Sequence, residues 1–400
     1  MKAPSIEIVQ PLPQPPAAAE GFALWQLGFR PFYLLASIFA ALSIGLWALQ
    51  FAGWLGQPYL QGPMWHAHEM LFGFILAVVV GFLLTAGRNW SNRPTLSGAP
   101  LAALAALWVA GRILVLTPFG WGAAIVNAAF PLAAAIALAI LFVAARNRRN
   151  YFFVGLLLLV AAAELSVHLS QLGVARLPGW LGIQVALDAV LFIMAVMGGR
   201  VIPMFTNNGV PGAKATRRPA LERAALGTLL ALLAADMLQV HGVPLLVLTA
   251  VAAAAHLARW LLWQPWKTAH APLVWVLQAA YLWIPVHLAM RGLAELGWLA
   301  TSIAIHALTV GAAGGLIIGM MTRTALGHTG RPLRAERGDV ACYGLILAAA
   351  WVRVFVPLVA PVATVPAVLG SAALWSAGFA LYAVRYWPVL TQPRIDGRPG

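Results

Sequence analysis

Apolar stretches long enough to cross a bilayer recur along the whole chain, separated by short polar breaks. A membrane helix needs about 20 mostly apolar residues. Runs of that length lie near 30–55, 64–86, 99–117, 121–145, 151–172, 180–200, 220–240, 242–263, 272–293, 297–321, 338–357 and 361–386. The pattern predicts an all-α polytopic membrane protein of about twelve transmembrane helices, each limit free to move by about four residues. In this reading residues 28–387 form one transmembrane domain, with a cytoplasmic tail over 1–27 and a second over 388–400. A Pro-rich stretch from Pro11 to Pro16, with no apolar signal-peptide core before it, marks the first tail as disordered and uncleaved.

Composition excludes a soluble fold. Hydrophobic residues make up 62% of the chain and charged residues only 9%, against about 25% charged in soluble domains, and the mean hydropathy is +0.85. A net charge of +14 raises the question of a nucleic-acid partner, but the placement of the charges answers it. Lys and Arg gather in alternate connections: Arg88 and Arg93; Arg146, Arg148 and Arg149; Arg200, Lys214, Arg217, Arg218 and Arg223; Lys267; Arg323, Arg331, Arg334 and Arg337. The intervening connections hold almost none, Arg176 being the clearest exception. That alternation is the positive-inside bias, so the partner is the lipid bilayer and both termini are expected in the cytoplasm.

Cys342 is the single cysteine, which removes internal disulfides, Cys-held iron–sulfur clusters and covalent haem attachment from consideration. A redox centre in this chain must hang on histidine. The topology assigns each of the nine histidines a depth. His66 and His68 open the second span from the periplasmic side, His306 lies in the tenth, and His168 and His287 are near the periplasmic ends of the fifth and ninth. His241 falls in a periplasmic turn, while His256, His270 and His328 lie toward the cytoplasm. Glu69, Glu164, Asp188 and Asp236 reach the outer zone as well. Ionisable groups inside a span are costly and normally face a protein interior or a pathway. One histidine near a helix end is more often an interfacial hydrogen-bonding residue than a ligand. Five at one level point to a metal or haem site, since imidazole ligates haem iron and also suits copper.

An internal repeat sharpens this. A shift of 238 positions carries the second span onto the tenth without a gap, so His68 meets His306, Gly73 meets Gly311, Gly81 meets Gly319, Arg93 meets Arg331 and Pro94 meets Pro332. A weaker third copy, at a shift of 118, puts Gly81 on Gly199 and Asn89 on Asn207 in the sixth span. Three units of four helices predict a pseudo-threefold bundle, similar in architecture to the catalytic subunit of haem-copper oxidases. The stripes Gly73, Ala77, Gly81 and Gly311, Gly315, Gly319 suit close helix packing, and also offer a face for a flat macrocycle. His66 and His68 are about 200° apart on a helix and face different directions. Glu164 and His168, four apart, share a face.

The segments GFRPFYLLA at 28–36, WHAHEMLFGF at 65–74, GFLLTAGRNWSNRPTLSG at 81–98, RVIPMFTN at 200–207 and HALTVGAAGGLIIGMMTRTALGHTGR at 306–331 resemble the NnrS family, and the likeness runs from Leu27 to about Tyr386. The resemblance implies a bacterial inner-membrane protein of twelve spans holding non-covalent haem b and copper. It further implies a role in nitric oxide metabolism or nitrosative-stress defence. Family motifs carry over onto His66, His68, Glu69, His306, His328 and Arg331. With the repeat, this makes His68 and His306 the expected haem ligands, and leaves His66, His168 and His287 as a three-imidazole copper set, supported by Glu69, Glu164, Asp188 and Arg331. The partners implied are nitric oxide or a related small molecule and an electron donor. The sequence leaves open whether nitric oxide is turned over by a haem-dependent oxidoreductase or only bound by a sensor or assembly factor. A proton-coupled transporter using Asp188 and Asp236 is the reading from another class, and inverted repeats would be its usual sign.

Overall fold

The computed structural model describes residues 21–51, 54 and 59–397. The Pro-rich stretch from Pro11 to Pro16 lies outside them. Among the described residues there is no strand. Twelve helical rods follow one another: α1 Phe29–Phe51, α2 Gly62–Ser91, α3 Gly98–Leu114, α4 Gly120–Ala144, α5 Tyr151–Gln171, α6 Gly179–Gly209, α7 Pro219–Met237, α8 Val243–Leu261, α9 Pro272–Glu295, α10 Thr301–His328, α11 Arg337–Val359 and α12 Thr364–Thr391. The expected limits hold within a few residues for most rods. The largest differences are at α6 and α10, whose amphipathic ends continue nine and seven residues beyond the apolar run. α12 likewise extends past 387.

Ten of the rods are long and apolar enough to span a membrane, which makes the chain a multi-pass membrane protein. The other two differ for physical reasons. α3 has 17 residues, about 26 Å at 1.5 Å per residue, slightly less than a hydrocarbon core of about 30 Å. α7 carries Glu222, Arg223 and Asp236 within its 19 residues.

Successive helices from α3 to α12 pack on one another, α2 lies against α4, and α1 touches both α2 and α12, closing the bundle. The basic connections all lie at one end, where they are tied together. Asn147 Nδ2 donates to Trp90 O at 3.0 Å, Arg200 Nη1 to Asn150 Oδ1 at 3.0 Å, Lys267 Nζ to Gly212 O at 2.9 Å, and Ala23 N to Thr391 O at 2.7 Å. The segment from Gly21 to Gly28 is thus docked onto the bundle through Ala23 and Leu27, both buried.

Inside, α2, α6 and α10 line three successive cavities along the bundle. The first is bounded by His66, Trp180 and His306 and the last by Trp90, Phe205 and His328, so α2 and α10 run in the same direction. The repeat seen in the sequence is also a repeat of backbone shape. α2 widens into a π-helix over Glu69–Ile75 and α10 over Ala307–Gly314, each beginning one residue after the equivalent histidine.

The glycine stripes are packing surfaces. A Cβ at Gly73 would stand 2.5 Å from Arg112 Nη1, one at Gly81 2.8 Å from Phe32 Cβ, one at Gly311 2.4 Å from the Trp283 ring and one at Gly315 2.6 Å from Ala280 Cβ. Side chains of α1, α3 and α9 fill the space in which the stripes offered a macrocycle a face.

Candidate metal centre and cofactor cavity

α2 presents its two histidines to different neighbours, as their rotation of about 200° requires. His68 turns into the bundle toward α5. Its Nε2 lies 3.1 Å from His168 Nε2 and 3.6 Å from Glu164 Oε1, and its Nδ1 lies 2.8 Å from Glu69 Oε1. Glu164 and His168 share a face of α5, as their spacing predicts, and both point at His68. All four residues are buried.

The surroundings hold this group in place. Arg112 on α3 donates from Nη1 to Glu69 Oε1 at 2.7 Å and from Nη2 to Asn127 Oδ1 on α4, while Asn127 Nδ2 donates to Ala123 O at 2.8 Å. Tyr59, just before α2, donates its hydroxyl to His168 O at 2.9 Å. Burial pushes that hydroxyl up to about 12, so it stays protonated as a donor.

One ligand atom from each of His68, Glu164 and His168 can be chosen so that all lie within 4.8 Å of one another. Two nitrogens about 2.0–2.1 Å from one tetrahedral ion are about 3.3 Å apart, close to the 3.1 Å seen here. Glu69 Oε2 and Glu164 Oε2 are buried with no hydrogen-bond partner among the described residues, and Arg112 pairs with Glu69 while Glu164 has only the His68 imidazole beside it. A cation bound between the two imidazoles would give Glu164 the partner it lacks. The donor set of two imidazoles and a carboxylate suits a first-row transition ion, and the hydrogen bond from His68 Nδ1 to Glu69 is the kind that fixes the tautomer of a ligand.

His66 faces the opposite way, into the first cavity. The cavity has a volume of about 350 Å³ and largely apolar walls that include Met70, Phe74, Ile183 and Trp375. His306 enters from α10 and Arg353 from α11. The His66 and His306 rings are 6.2 Å apart between centroids and within 12° of parallel. His306 Nδ1 donates to Ser302 O at 2.6 Å, which leaves Nε2 with its lone pair, and His66 Nδ1 is buried without a hydrogen-bond partner among the described residues.

A third polar group lies between α6, α7 and α9. Arg291 bridges Asp236 and Asp188, the latter at 3.5 Å, and Gln184 Nε2 donates to Asp188 Oδ1 at 3.1 Å and to Asp236 Oδ2 at 3.3 Å. His287 is fixed by donation from Nδ1 to Ala304 O at 2.7 Å.

These contacts pair the histidines differently from the expected ligand sets. The imidazole against His306 is that of His66, and the one against His68 is that of His168. His287 joins neither pair, so His66, His168 and His287 do not form one site. A two-residue offset on α2 separates what repeat symmetry put together. Arg331 lies in the connection after α10, at the opposite end of the bundle from the metal group, and His328 lines the third cavity there. His256 is a satisfied core residue between Tyr281 and Ala225 O, His241 is exposed near Glu295, and His270 is exposed.

Arg112, Asn127, Tyr59 and Arg353 were missed by sequence reasoning. A charge count confined to connections overlooks arginines inside spans, although Arg112, Arg291 and Arg353 each sit in one of the three polar groups. An intramembrane arginine is itself a signal of such a group.

A model of the NnrS protein family matches residues 23–394, nearly the full described bundle. The chain belongs to the NnrS family. No curated protein matches it. In this NnrS-family chain the signature run from Trp65 to Phe74 carries both the metal-group histidine and the cavity histidine, and the run from His306 to Arg331 forms the facing helix.

Proposed function

We propose that this chain is a haem-copper protein of nitric oxide metabolism or nitrosative-stress defence in the bacterial inner membrane, with its basic end and both termini in the cytoplasm and its metal sites in the periplasmic half. The observation that carries the reading is the division of imidazoles by α2: one pair on an apolar cavity, another enclosed with a carboxylate. His66 and His306 would hold haem b, and Arg353 would supply a cation for its anionic edge. His68, His168 and Glu164 hold copper. When bound, haem held by both imidazoles would supply an electron-transfer iron, haem held by one of them an iron with an open position for a diatomic ligand, and copper would supply a one-electron centre.

The chain's own residues do the positioning. Glu69 and Arg112 fix His68, Ser302 O fixes His306, and Phe74 and Trp375 give the cavity an apolar wall. The three cavities bounded by α2, α6 and α10 support a pseudo-threefold arrangement of three four-helix units.

The transporter reading is weaker. Asp188 and Asp236 are bridged by Arg291, and the visible repeat joins two helices running in the same direction rather than an inverted pair.

The test is an absorption spectrum of the purified protein with metal analysis. The reading predicts a b-type haem spectrum and about one copper per chain. A colourless protein that takes up neither haem nor copper would contradict it.

A further inference from the structure

The third cavity, at the basic end of the α2–α6–α10 column, has a volume of about 340 Å³ and contains a cation that the proposed function does not use. Arg323 on α10 enters it with its guanidinium carbon 3.7 Å from the Phe205 ring centroid. Among the described residues it makes no ion pair and no hydrogen bond. Other arginines in the bundle are neutralised or capped: Arg112 by Glu69, Arg259 by Glu222, Arg291 by two aspartates, Arg30 by the carbonyls of Leu390 and Gln392. Among the described residues Arg323 and Arg353 lack such partners, and each lines a cavity.

Three further features make this cavity a receiver of negative charge. His328 faces it, with Arg394, Arg88 and Arg30 nearby, of which Arg394 is paired with Asp396. Asn89 and Thr324 add polar groups to the wall. A cleft lined by one sign of charge with low-dielectric walls concentrates counter-ions, and a guanidinium stacked on an aromatic ring keeps its fork of donors for a carboxylate or phosphate. The inner wall is apolar: Phe82, Met197, Val201 and Met320 belong both to this cavity and to the second, which is lined almost wholly by apolar residues.

We propose that the cavity binds an amphiphilic anion of the carboxylate or phosphate class, its charged head paired with Arg323 beside His328 and Asn89, and its apolar part against Phe82, Met197 and Met320. The site is independent of the haem and copper assignments, because none of its residues takes part in them. Two sources share this chemistry, a free organic anion from the cytoplasm and the headgroup of an anionic lipid.

Thermal-shift titration of the detergent-purified protein with octyl phosphate, octanol and inorganic phosphate tests the site, and native mass spectrometry from nanodiscs with and without phosphatidylglycerol separates the sources. Saturable stabilisation is expected from octyl phosphate and not from octanol, with inorganic phosphate weaker. Arg323→Gln is expected to weaken octyl phosphate by about tenfold or more, as for loss of one charge-assisted pair, and Arg323→Lys by less. Arg334→Gln, an exposed cation at the same end, is expected to change nothing. Phosphatidylglycerol retained by the parent protein and lost from Arg323→Gln assigns the lipid source. Octyl phosphate binding without retained lipid assigns the free anion. Equal stabilisation by octanol, no saturable effect of any probe, or unchanged affinity in Arg323→Gln would overturn the proposal. If Arg323→Gln does not fold, unchanged affinity in Arg323→Lys combined with Asn89→Leu overturns it equally.

Discussion

His68 and His306 occupy equivalent positions 238 residues apart, and each is the last residue before its helix widens into a π-helix. The equivalence is one of backbone shape, not of partner. His68 meets His168, whereas His306 meets His66. A π-turn changes the register of everything that follows it and is often found at functional sites, so the same device re-aims α2 and α10 just below their histidines.

Arg112 is the counter-charge that lets Glu69 stay buried beside His68. Arg112→Ala removes one partner of a buried ion pair, and such losses cost about 3–5 kcal/mol. Adding Glu69→Ala is expected to recover part of that, because the double variant leaves no uncompensated charge. A double-mutant cycle on unfolding in detergent measures the coupling; additive effects would show that the two side chains do not act as a pair.

Glu69 touches His68 Nδ1 and would act on a bound metal through it. Glu69→Gln is expected to lower copper affinity by about 10–100-fold, the usual effect of losing an outer partner of a ligating histidine. Competition with a chelator of known affinity reads this directly. Glu164→Gln is expected to cost more than Glu69→Gln, and the reverse order would move the carboxylate ligand to Glu69.

The glycine stripe of α10 packs against α9. Gly315→Val is expected to destabilise the protein by about 1–3 kcal/mol through overpacking, with haem and copper per folded chain unchanged. Loss of haem at full stability would return the stripe to the role of a macrocycle face.

The twelve rods were legible because hydropathy alone separates spans from connections, and the likeness of α2 to α10 was legible as a gapless shift. Direction around the helix axis was not. Two residues between His66 and His68 predict different faces, but which neighbour lies across each face depends on how α5 and α10 pack against α2. The partners therefore came out exchanged relative to repeat symmetry. The π-segments were invisible, since one added residue per turn leaves no mark in an apolar run. α7 reads as a span by its apolar average, yet Glu222 and Asp236 at its two ends are committed to Arg259 and Arg291.

The charge pattern predicts which end faces the cytoplasm. Reporter fusions after Arg149 and after Arg337 are expected to give the cytoplasmic signal, and a fusion after His241 the periplasmic one. Periplasmic signals from both of the first two would invert the bundle and move the metal sites to the inner half.

If α2 serves two separate centres, haem and copper are lost separately, which their content in two variants measures. His306→Ala is expected to lose haem while keeping about one copper per chain, and His68→Ala with His168→Ala to lose copper while keeping the haem spectrum. Loss of both groups from either folded variant, or exchange of the two losses, would contradict the assignment of His66 and His306 to the cavity and of His68 and His168 to the metal centre.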